Sequence, residues 1–250
     1  CEGVDIRKDQ DSSYGKWFLT DVIRAIENYS LINDGEEVCV ALSGGRDSVT
    51  LLYILWYLRR YSHLDFGLRA VHVRTDEYDT GILKRLCDDL GVGYLETRLK
   101  ADLHSCPKAP CPLCAAFKRG AMLGTLEGSG VTKVAFGHHA DDVAETLLMN
   151  IVHNRKLGSF TPKVEVPEGG MVIIRPMVYL DSPLVRRLHN HLRLPVLSYT
   201  CPYGEKGARE VMRSAIARFE GQLELREFSR MVVGALENVD CSSLWSSVRT

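Results

Sequence analysis

The sequence has no run of about 18 apolar residues, no basic N-terminal stretch that leads into an apolar one, and no excess of positive charge. The first two absences argue against a membrane span and a signal peptide, so we expect a cytoplasmic protein. The formal net charge of −1 gives no overall sign of a nucleic-acid partner, because such proteins usually carry a basic excess. With 250 residues, 45% of them hydrophobic, the chain is long enough to bury a substantial core.

Apolar runs of strand length alternate with segments of helical period, which predicts βαβ units around an open parallel sheet with helices on both faces. Strands are predicted at 38–42, 67–73, 93–96, 133–136 and 172–175, and helices at 17–29, 49–60, 79–90, 141–152 and 182–194. We expect three parts along the chain. They are an N-terminal helical segment (1–34), an α/β catalytic domain (35–220) and a helical C-terminal tail (221–250).

Two stretches interrupt this alternation. Residues 104–114 (HSCPKAPCPLC) are rich in proline and cysteine, and residues 155–170 (RKLGSFTPKVEVPEGG) are polar and basic at their start. Both are predicted to be loops. Long irregular loops on a compact α/β domain often carry function.

An anion-binding turn is predicted where the first strand ends. The strand ends in Ala41-Leu42, the turn is Ser43-Gly44-Gly45, and a helix begins near Asp47. Such a turn directs backbone N–H groups and the positive end of a helix dipole at one point, and the hydroxyls of Ser43 and Ser48 add donors. The lysine and spacing of a Walker A loop are absent. The alternative is a glycine-rich turn that binds nothing.

A second motif, GHHADDVAET at 137–146, also follows a strand and opens a helix. Its start at Gly137 and His138 would lie beside the first turn, at the carboxyl edge of the sheet. Asp141 and Asp142 could hold Mg²⁺ on a bound phosphate, or they could simply complement the helix dipole. The strand around His72 is predicted to line a base, although His72 could equally be a core histidine.

Eight cysteines in a chain of this kind suggest metal or redox chemistry more than disulfides. Cys111 and Cys114 form a CxxC pair, and a helix beginning at Cys114 would favour their thiolates. Cys201, in a turn-like YTCPYG segment, is the third candidate, and three thiolates suit a [4Fe–4S] cluster with one open iron. Cys106 as a fourth ligand would instead close a structural metal site. Cys39 and Cys87 are predicted to be buried packing residues.

Ser-Gly-Gly-x-Asp-Ser matches the pyrophosphate-binding PP-loop signature. The order of SGGxDS, CxxC, GHHxDD, Ile174-Arg175-Pro176 and a late Cys-Pro-Tyr resembles the TtcA and TtuA group of tRNA thiolation enzymes, over roughly residues 35 to 220. This resemblance implies an adenine nucleotide alpha hydrolase-like, Rossmann-like fold. It also implies an activity in which ATP adenylates the C2 carbonyl oxygen of a tRNA pyrimidine and sulfur replaces that oxygen. A cysteine desulfurase or sulfide would donate the sulfur, and the enzyme would be a homodimer.

Carried over by motif, the resemblance implies site residues of three kinds. Asp47, Lys118 and Asp141 would be catalytic, and Cys111, Cys114 and Cys201 would hold the cluster. ATP would contact Ala41, Leu42, Ser43, Gly44, Gly45, Asp47, Ser48, His72, Gly137, His138 and Asp141. Lys118 could also be an ordinary surface lysine. The chain departs from the family pattern at Arg46, where lysine is usual, and at Gly204, where a second late cysteine is common.

The sequence is consistent with three functions. A tRNA thiolation enzyme would use a basic surface formed by Arg155, Lys156, Lys163, Arg186, Arg187 and Arg193. A PP-loop enzyme could instead adenylate a small molecule and complete an amidation or a sulfur insertion, which agrees with the near-neutral charge. The third candidate is a cluster-binding regulator that keeps the nucleotide fold without catalysis.

Overall fold

The computed structural model describes residues 15–75, 78–99, 110–167, 170–198 and 208–245. Within them, six strands form one sheet in the order β3-β2-β1-β4-β6-β5. The strands are β1 (Glu37–Ala41), β2 (Gly67–Arg74), β3 (Gly93–Arg98), β4 (Lys133–Ala135), β5 (Lys163–Glu165) and β6 (Val172–Ile174). All neighbouring strands are parallel except β5 and β6.

Eight α-helices and a short 3-10 helix (Cys241–Ser243) accompany the sheet in the described part of the chain. The helices are α1 (Lys16–Tyr29), α2 (Arg46–Tyr61), α3 (Gly81–Asp89), α4 (Pro110–Leu126), α5 (Ala140–Asn154), α6 (Ser182–His191), α7 (Ala208–Leu223) and α8 (Phe228–Glu237). None of them combines the length and apolar character that a membrane crossing requires.

The strands bury both faces, because alternate side chains point to opposite sides of the sheet. Val38 and Val40 of β1 join the large core formed with α1, α2, α3 and α6. Cys39, between them, joins a smaller cluster with Met122 and Leu126 of α4 on the other face. The predicted α/β architecture, with helices on both faces, is therefore confirmed.

Helix α2 is the centre of the large core, and all of its residues from Ser48 to Leu58 are buried. A helix that is apolar on nearly every side must be covered on every side. The sheet covers one side of α2, and α1 and α6 cover others. Cys39 and Cys87 are fully buried among apolar side chains, which confirms their predicted packing role.

Two details of the sequence prediction are wrong. Helix α4 begins at Pro110, so Cys111 and Cys114 lie in its first turns, whereas 104–114 was predicted to be a loop with a helix starting at Cys114. Proline is tolerated in a first helical turn, where its missing N–H would have no partner in any case. The predicted loop 155–170 contains β5, which pairs antiparallel with β6 and departs from the expected all-parallel sheet. Three residues are too few to show a strand period.

The C-terminal helices pack on α5, so the predicted helical extension is confirmed. Ala144 of α5 contacts Ile216 of α7 and Val232 of α8 in a separate buried cluster. Arg230 of α8 also pairs with Asp21 of α1 at 2.9 Å. The expected boundary between residues 220 and 221 lies within α7, and the division into domains stays a prediction.

Replacing Leu55 by alanine should destabilise the fold by about 2–5 kcal/mol, because the fully buried side chain leaves a cavity inside the core around α2. The free energy of unfolding can be measured by urea titration followed by circular dichroism. The matched control is Val152→Ala on α5, where the side chain is 60% exposed and the expected change is within about 0.5 kcal/mol. Equal effects in the two variants would contradict this description of the core.

Candidate active site

The site lies where the order of the sheet reverses. From β1, the chain builds outward to β2 and β3 on one side, and then returns to place β4 against the other side of β1. Both β1 and β4 are parallel, so their carboxyl ends meet at one edge of the sheet. Ligands of open α/β sheets bind in the crevice at such a reversal. The segments that follow these two strands are the two motifs found in the sequence.

The turn after β1 has the geometry of an anion site. Gly44 has a φ of +84°, a left-handed conformation that glycine adopts without steric cost. Gly45 then caps α2, and Asp47 lies in the first turn of that helix. The Ser43 hydroxyl is 3.0 Å from the Ser48 hydroxyl, which donates to the Gly45 carbonyl oxygen at 2.9 Å. Backbone N–H groups of a first helical turn and two hydroxyls therefore surround one point.

The segment around Leu197, which follows α6, contacts this turn through its backbone and its side chain. The Leu197 N–H donates to the Gly44 carbonyl oxygen at 2.9 Å. A Cβ atom on Gly44 would overlap the side chain of Leu197. Glycine at position 44 is therefore required both by the backbone angle and by the lack of space.

The turn after β4 approaches the start of α2 even more closely. A Cβ atom on Gly137 would lie 2.9 Å from the backbone carbonyl carbon and oxygen of Asp47, and 3.0 Å from the Ser48 nitrogen. The two motifs are thus in backbone contact. His139 then caps α5, and its N–H donates to the Asp142 carboxylate at 3.0 Å.

A cleft of about 430 Å³ opens beside these two turns. Ten residues singled out from the sequence line it, and they come from four separate segments of the chain. They are Ala41, Leu42, Ser43, Asp47, Ser48, His72, Lys118, Gly137, His138 and Asp142. Lys118 reaches the cleft from α4, together with Ala115 and Met122. The structure therefore brings the helix of the CxxC pair to the phosphate turn.

Several lining residues were missed by the sequence reasoning. Tyr78, Arg119 and Arg209 contribute polar groups to the cleft, and Phe136 contributes an aromatic ring. Arg119 is adjacent to Lys118, so a helical reading of that segment could have found it. Arg209 had no such signal, because only the packing of α7 on α5 brings it to the cleft.

His72 is almost fully buried, yet it borders the cleft. Burial lowers its pKa, so the ring is neutral. Its Nδ1 lies 2.7 Å from the Leu42 carbonyl oxygen and its Nε2 lies 3.0 Å from the Tyr78 hydroxyl. A carbonyl can only accept, so Nδ1 carries the proton and Nε2 accepts from Tyr78. His72 therefore ties β2 to the end of β1, and it is both a packing residue and a wall of the cleft.

His138 is also neutral, but it has the opposite tautomer. Burial lowers its pKa to about 4, with neighbouring arginines adding to the effect and Asp142 opposing it. Arg175 Nε donates to His138 Nδ1 at 3.2 Å, which leaves the proton on Nε2. The ring stacks on Phe136 with centroids 5.8 Å apart and contacts Phe160. His138 is therefore held between Arg175 and two aromatic rings, with its N–H on Nε2.

His139 is surrounded by carboxylates, and its pKa is shifted in the opposite direction from those of His72 and His138. Burial alone would lower the pKa of His139, but the nearby carboxylates of Asp141, Asp142 and Asp47 raise it overall. Its Nδ1 is 3.4 Å from Asp141 Oδ2, and its Nε2 is 3.9 Å from Asp47 Oδ2. Asp141 also accepts from the Ser182 N–H at 2.7 Å, so this predicted site residue joins α5 to the start of α6.

The cysteine prediction is only partly covered by the described residues. Cys114 lies on α4, partly exposed, directly before the cleft residue Ala115. Position 111 belongs to the same helix, while Cys106 and Cys201 lie outside the described residues. Within the described ranges, no three His, Cys, Asp or Glu side chains are grouped to hold a metal ion. The three-cysteine cluster therefore stays a prediction.

Replacing Gly137 by alanine should destabilise the protein by about 1–3 kcal/mol, because the new methyl group meets the backbone of Asp47 and neither segment has a flexible side chain to move. The control is Gly124→Ala on α4, which has open space around the position and should be stabilised by up to about 1 kcal/mol. Urea unfolding measures both. A neutral Gly137→Ala variant would show that the two turns do not touch.

The free energy of unfolding should decrease as the pH is lowered from 6.5 to about 4, and part of this decrease should come from His138. In this range, the unfolded chain takes up a proton that the buried ring cannot accept, so unfolding is favoured by about 1.4 kcal/mol per pH unit. The variant His138→Gln should lack this contribution, whereas the exposed His153→Gln should keep it. Urea unfolding at intervals of half a pH unit tests the difference, and parallel curves for wild type and His138→Gln would refute it.

Comparison with known proteins agrees with this geometry. A family model described as a PP-loop domain matches residues 19–197. The chain is similar to the tRNA-cytidine(32) 2-sulfurtransferase of Alkalilimnicola ehrlichii, with 32% identity over 88% of this chain and 72% of the relative. It is also similar to the protein of the same name from Pelobacter propionicus, with 31% identity over 86% and 83% of the two chains.

Among solved structures, the U34-tRNA thiolase NcsA from Methanococcus maripaludis, determined with its [4Fe-4S] cluster, has a similar fold. The TM-score is 0.69 at 19% sequence identity, over 90% of this chain and 80% of that one. The span matched by the family model contains both turns of the cleft and helix α4. The chain belongs to the PP-loop family and, within it, to the family of the tRNA-cytidine(32) 2-sulfurtransferases.

Proposed function

We propose that this protein is an ATP-dependent tRNA sulfurtransferase that converts a cytidine, at position 32 as in its named relatives, to 2-thiocytidine. The observation that carries the proposal is the convergence of three motifs on one cleft. The SGGxDS turn, the GHHxDD turn and the helix of the CxxC pair all line it. In this proposal, a phosphate-binding turn, a second turn with charged side chains and the helix of the proposed sulfur site all face the same substrate.

ATP would bind with its phosphates at the start of α2. The backbone N–H groups there, together with Ser43 and Ser48, favour a polyanion. Strand β2 lines the same cleft through Val71, His72 and Val73, and its apolar side chains suit an adenine ring. Mg²⁺ accompanies ATP, and of the two carboxylates first suggested for it, Asp142 lines the cleft whereas Asp141 binds the Ser182 N–H.

The reaction divides into two substitutions. The C2 carbonyl oxygen of cytidine attacks the α-phosphorus of ATP, the bond to the β-phosphate oxygen breaks, and pyrophosphate leaves. A sulfur nucleophile then attacks C2, the C2–O bond breaks, and AMP leaves with the oxygen, so that C2 retains a thiocarbonyl. Groups that stabilise charge on the α-phosphate would accelerate both steps.

Lys118 and Asp47 are the proposed catalytic side chains within the cleft. Lys118 lies on α4 and Asp47 on α2, so they approach the substrate from different elements. An ammonium group placed over the α-phosphate stabilises the charge that develops there. Asp47 would orient the phosphate turn and the nearby imidazole ring of His139. Asp141, in this proposal, acts through His139 and the start of α6 rather than from the cleft wall.

The proposed [4Fe–4S] cluster would be held by Cys111, Cys114 and Cys201 and, when bound, would hold the donor's sulfur for transfer to the substrate. Cys114 fits this role, because its partly exposed thiol lies in the first turns of α4, where the helix dipole favours a thiolate. One helical turn further along, Lys118 already lines the cleft. The sulfur site and the phosphate site would thus be neighbours on one helix.

The tRNA would bind to exposed basic side chains outside the cleft. Arg155, Lys156, Arg186, Arg187 and Arg193 are all exposed. Lys163 is different, because its ammonium group donates to the Ser30 carbonyl oxygen at 3.0 Å and joins β5 to the end of α1. We further propose a sulfide or cysteine desulfurase donor and a homodimeric enzyme, in line with the family resemblance.

The proposal predicts ATP-dependent formation of 2-thiocytidine in a tRNA transcript with cytidine at position 32, and none in a transcript with uridine there. Anaerobically purified protein, ATP, sulfide and transcript are combined, and digested nucleosides are analysed by mass spectrometry. Pyrophosphate exchange into ATP is measured in parallel. Exchange without thiolation of any tRNA would favour a small-molecule substrate, and a lack of both would favour a non-catalytic regulator.

Cysteine variants separate the sulfur chemistry from ATP binding in the same assay. Cys114→Ala should lose bound iron and thiolation while it retains binding of ATP. Cys241→Ala is the matched control, because Cys241 is exposed in the short 3-10 helix near the C-terminus, and it should retain iron and activity. Full thiolation by Cys114→Ala would exclude the proposed cluster.

A further inference from the structure

Helix α7 follows the proposed late cysteine and faces the helix of the GHHxDD motif through two ion pairs. Arg209 pairs with Asp142, with a distance of 3.2 Å from Nη1 to Oδ1. Arg213, one turn later, pairs with Glu145, with a distance of 2.9 Å from Nε to Oε1. Arg209 and Arg213 are four residues apart on α7, and Asp142 and Glu145 are three residues apart on α5. Each spacing is about one helical turn, so the two arginines lie above two successive acids.

The two pairs differ in burial. The Glu145 side chain is only 1% exposed, and burial raises its pKa although Arg213 opposes the shift. A buried carboxylate that loses its partner is left with an uncompensated charge, so this pair holds α7 in place. The side chain of Arg209 is 49% exposed, and an ion pair as accessible as this contributes little to stability.

Arg209 is also a wall of the cleft. It lines the same cavity as Ser43, Asp47, Lys118 and His138, and no other residue of α7 does so within the described part of the chain. Its partner Asp142 lines the cavity as well, and the other Asp142 oxygen accepts from the His139 N–H at 3.0 Å. A guanidinium offers five N–H donors in one plane and can bind a phosphate through two of them.

We propose that Arg209 is a phosphate-binding residue for ATP, and that its guanidinium exchanges Asp142 for the ATP phosphates when the nucleotide enters the cleft. The anchored Arg213 pair keeps α7 in position during this exchange, so only the Arg209 side chain has to move. This inference rests on the proposed function, because it takes ATP as the ligand of the cleft. It adds a contact from α7, which no motif in the sequence indicated.

The test compares nucleotides that differ only in their phosphates. Dissociation constants of adenosine, AMP, ADP and ATP are measured by calorimetry for wild type, Arg209→Gln and Arg209→Lys. Loss of a charge-assisted hydrogen bond should weaken ATP binding by Arg209→Gln by about tenfold or more. Binding of adenosine should be unchanged within about twofold, because adenosine has no phosphate for the guanidinium to reach. The affinity of Arg209→Lys for ATP should fall between those of wild type and Arg209→Gln, because lysine retains the positive charge but not the paired N–H donors of a guanidinium.

Arg218→Gln is the matched control. Arg218 is an exposed arginine on the same helix, nine residues and therefore half a rotation away from Arg209. It should bind all four nucleotides as wild type does. Urea unfolding of each variant tests whether α7 remains docked, and Arg209→Gln should unfold at the wild-type midpoint.

Three outcomes are decisive. If wild type binds ATP and Arg209→Gln binds it equally well, the role of Arg209 is refuted while the proposed function stands. If the Arg209→Gln variant binds adenosine and ATP with equally reduced affinity, Arg209 only shapes the cleft and the phosphate contact is refuted. If wild type itself binds no ATP, the proposed function fails before the Arg209 variants are considered.

Discussion

The close approach of the Gly137 backbone to the first turn of α2 is the contact on which the site depends. Only a residue without a Cβ atom permits it, since an added methyl group would meet Asp47 at 2.9 Å. The approach is possible because β1 and β4 are parallel neighbours and end at the same edge of the sheet. Every group that reaches the phosphate turn from β4 or α5 is positioned by this contact. A shift of one turn would separate the acids of α5 from the start of α2.

Around that contact, three histidines have three different states. His72 is neutral with its proton on Nδ1, His138 is neutral with its proton on Nε2, and the pKa of His139 is raised by neighbouring carboxylates. The differences come from their partners, which are a carbonyl oxygen, a guanidinium and an acid cluster. The buried His139 ring has its Nε2 atom 3.9 Å from Oδ2 of Asp47, which lies in the first turn of α2, where the helix dipole favours anions. The charges of the site are therefore arranged before any ligand binds.

In the described part of the chain, the last two α-helices pack on α5, and α8 also contacts the first helix. Helices α7 and α8 pack on α5, and α8 reaches α1 through Arg230 with Asp21 and through Glu237 with Tyr29. Glu237 also contacts Tyr179, in the segment between β6 and α6. The C-terminal extension thus covers one helix of the site and is connected to the N-terminal helix. This packing brings arginines of α7 above the acids of α5, and it makes Arg209 of α7 part of the cleft wall.

The sequence by itself determined the local elements and the two turns. The periods of apolar residues predicted β1, β2 and α2, and the glycines with their hydroxyl and acidic neighbours identified the turns at Ser43 and Gly137. Such features are encoded locally, because period and backbone freedom belong to consecutive residues. The tertiary structure decided which groups meet: Lys118 with the phosphate turn, Arg175 with His138, and Arg209 with Asp142. The members of these pairs are 37 to 75 positions apart in the sequence, and their contacts follow from strand order and helix packing, which no local pattern contains.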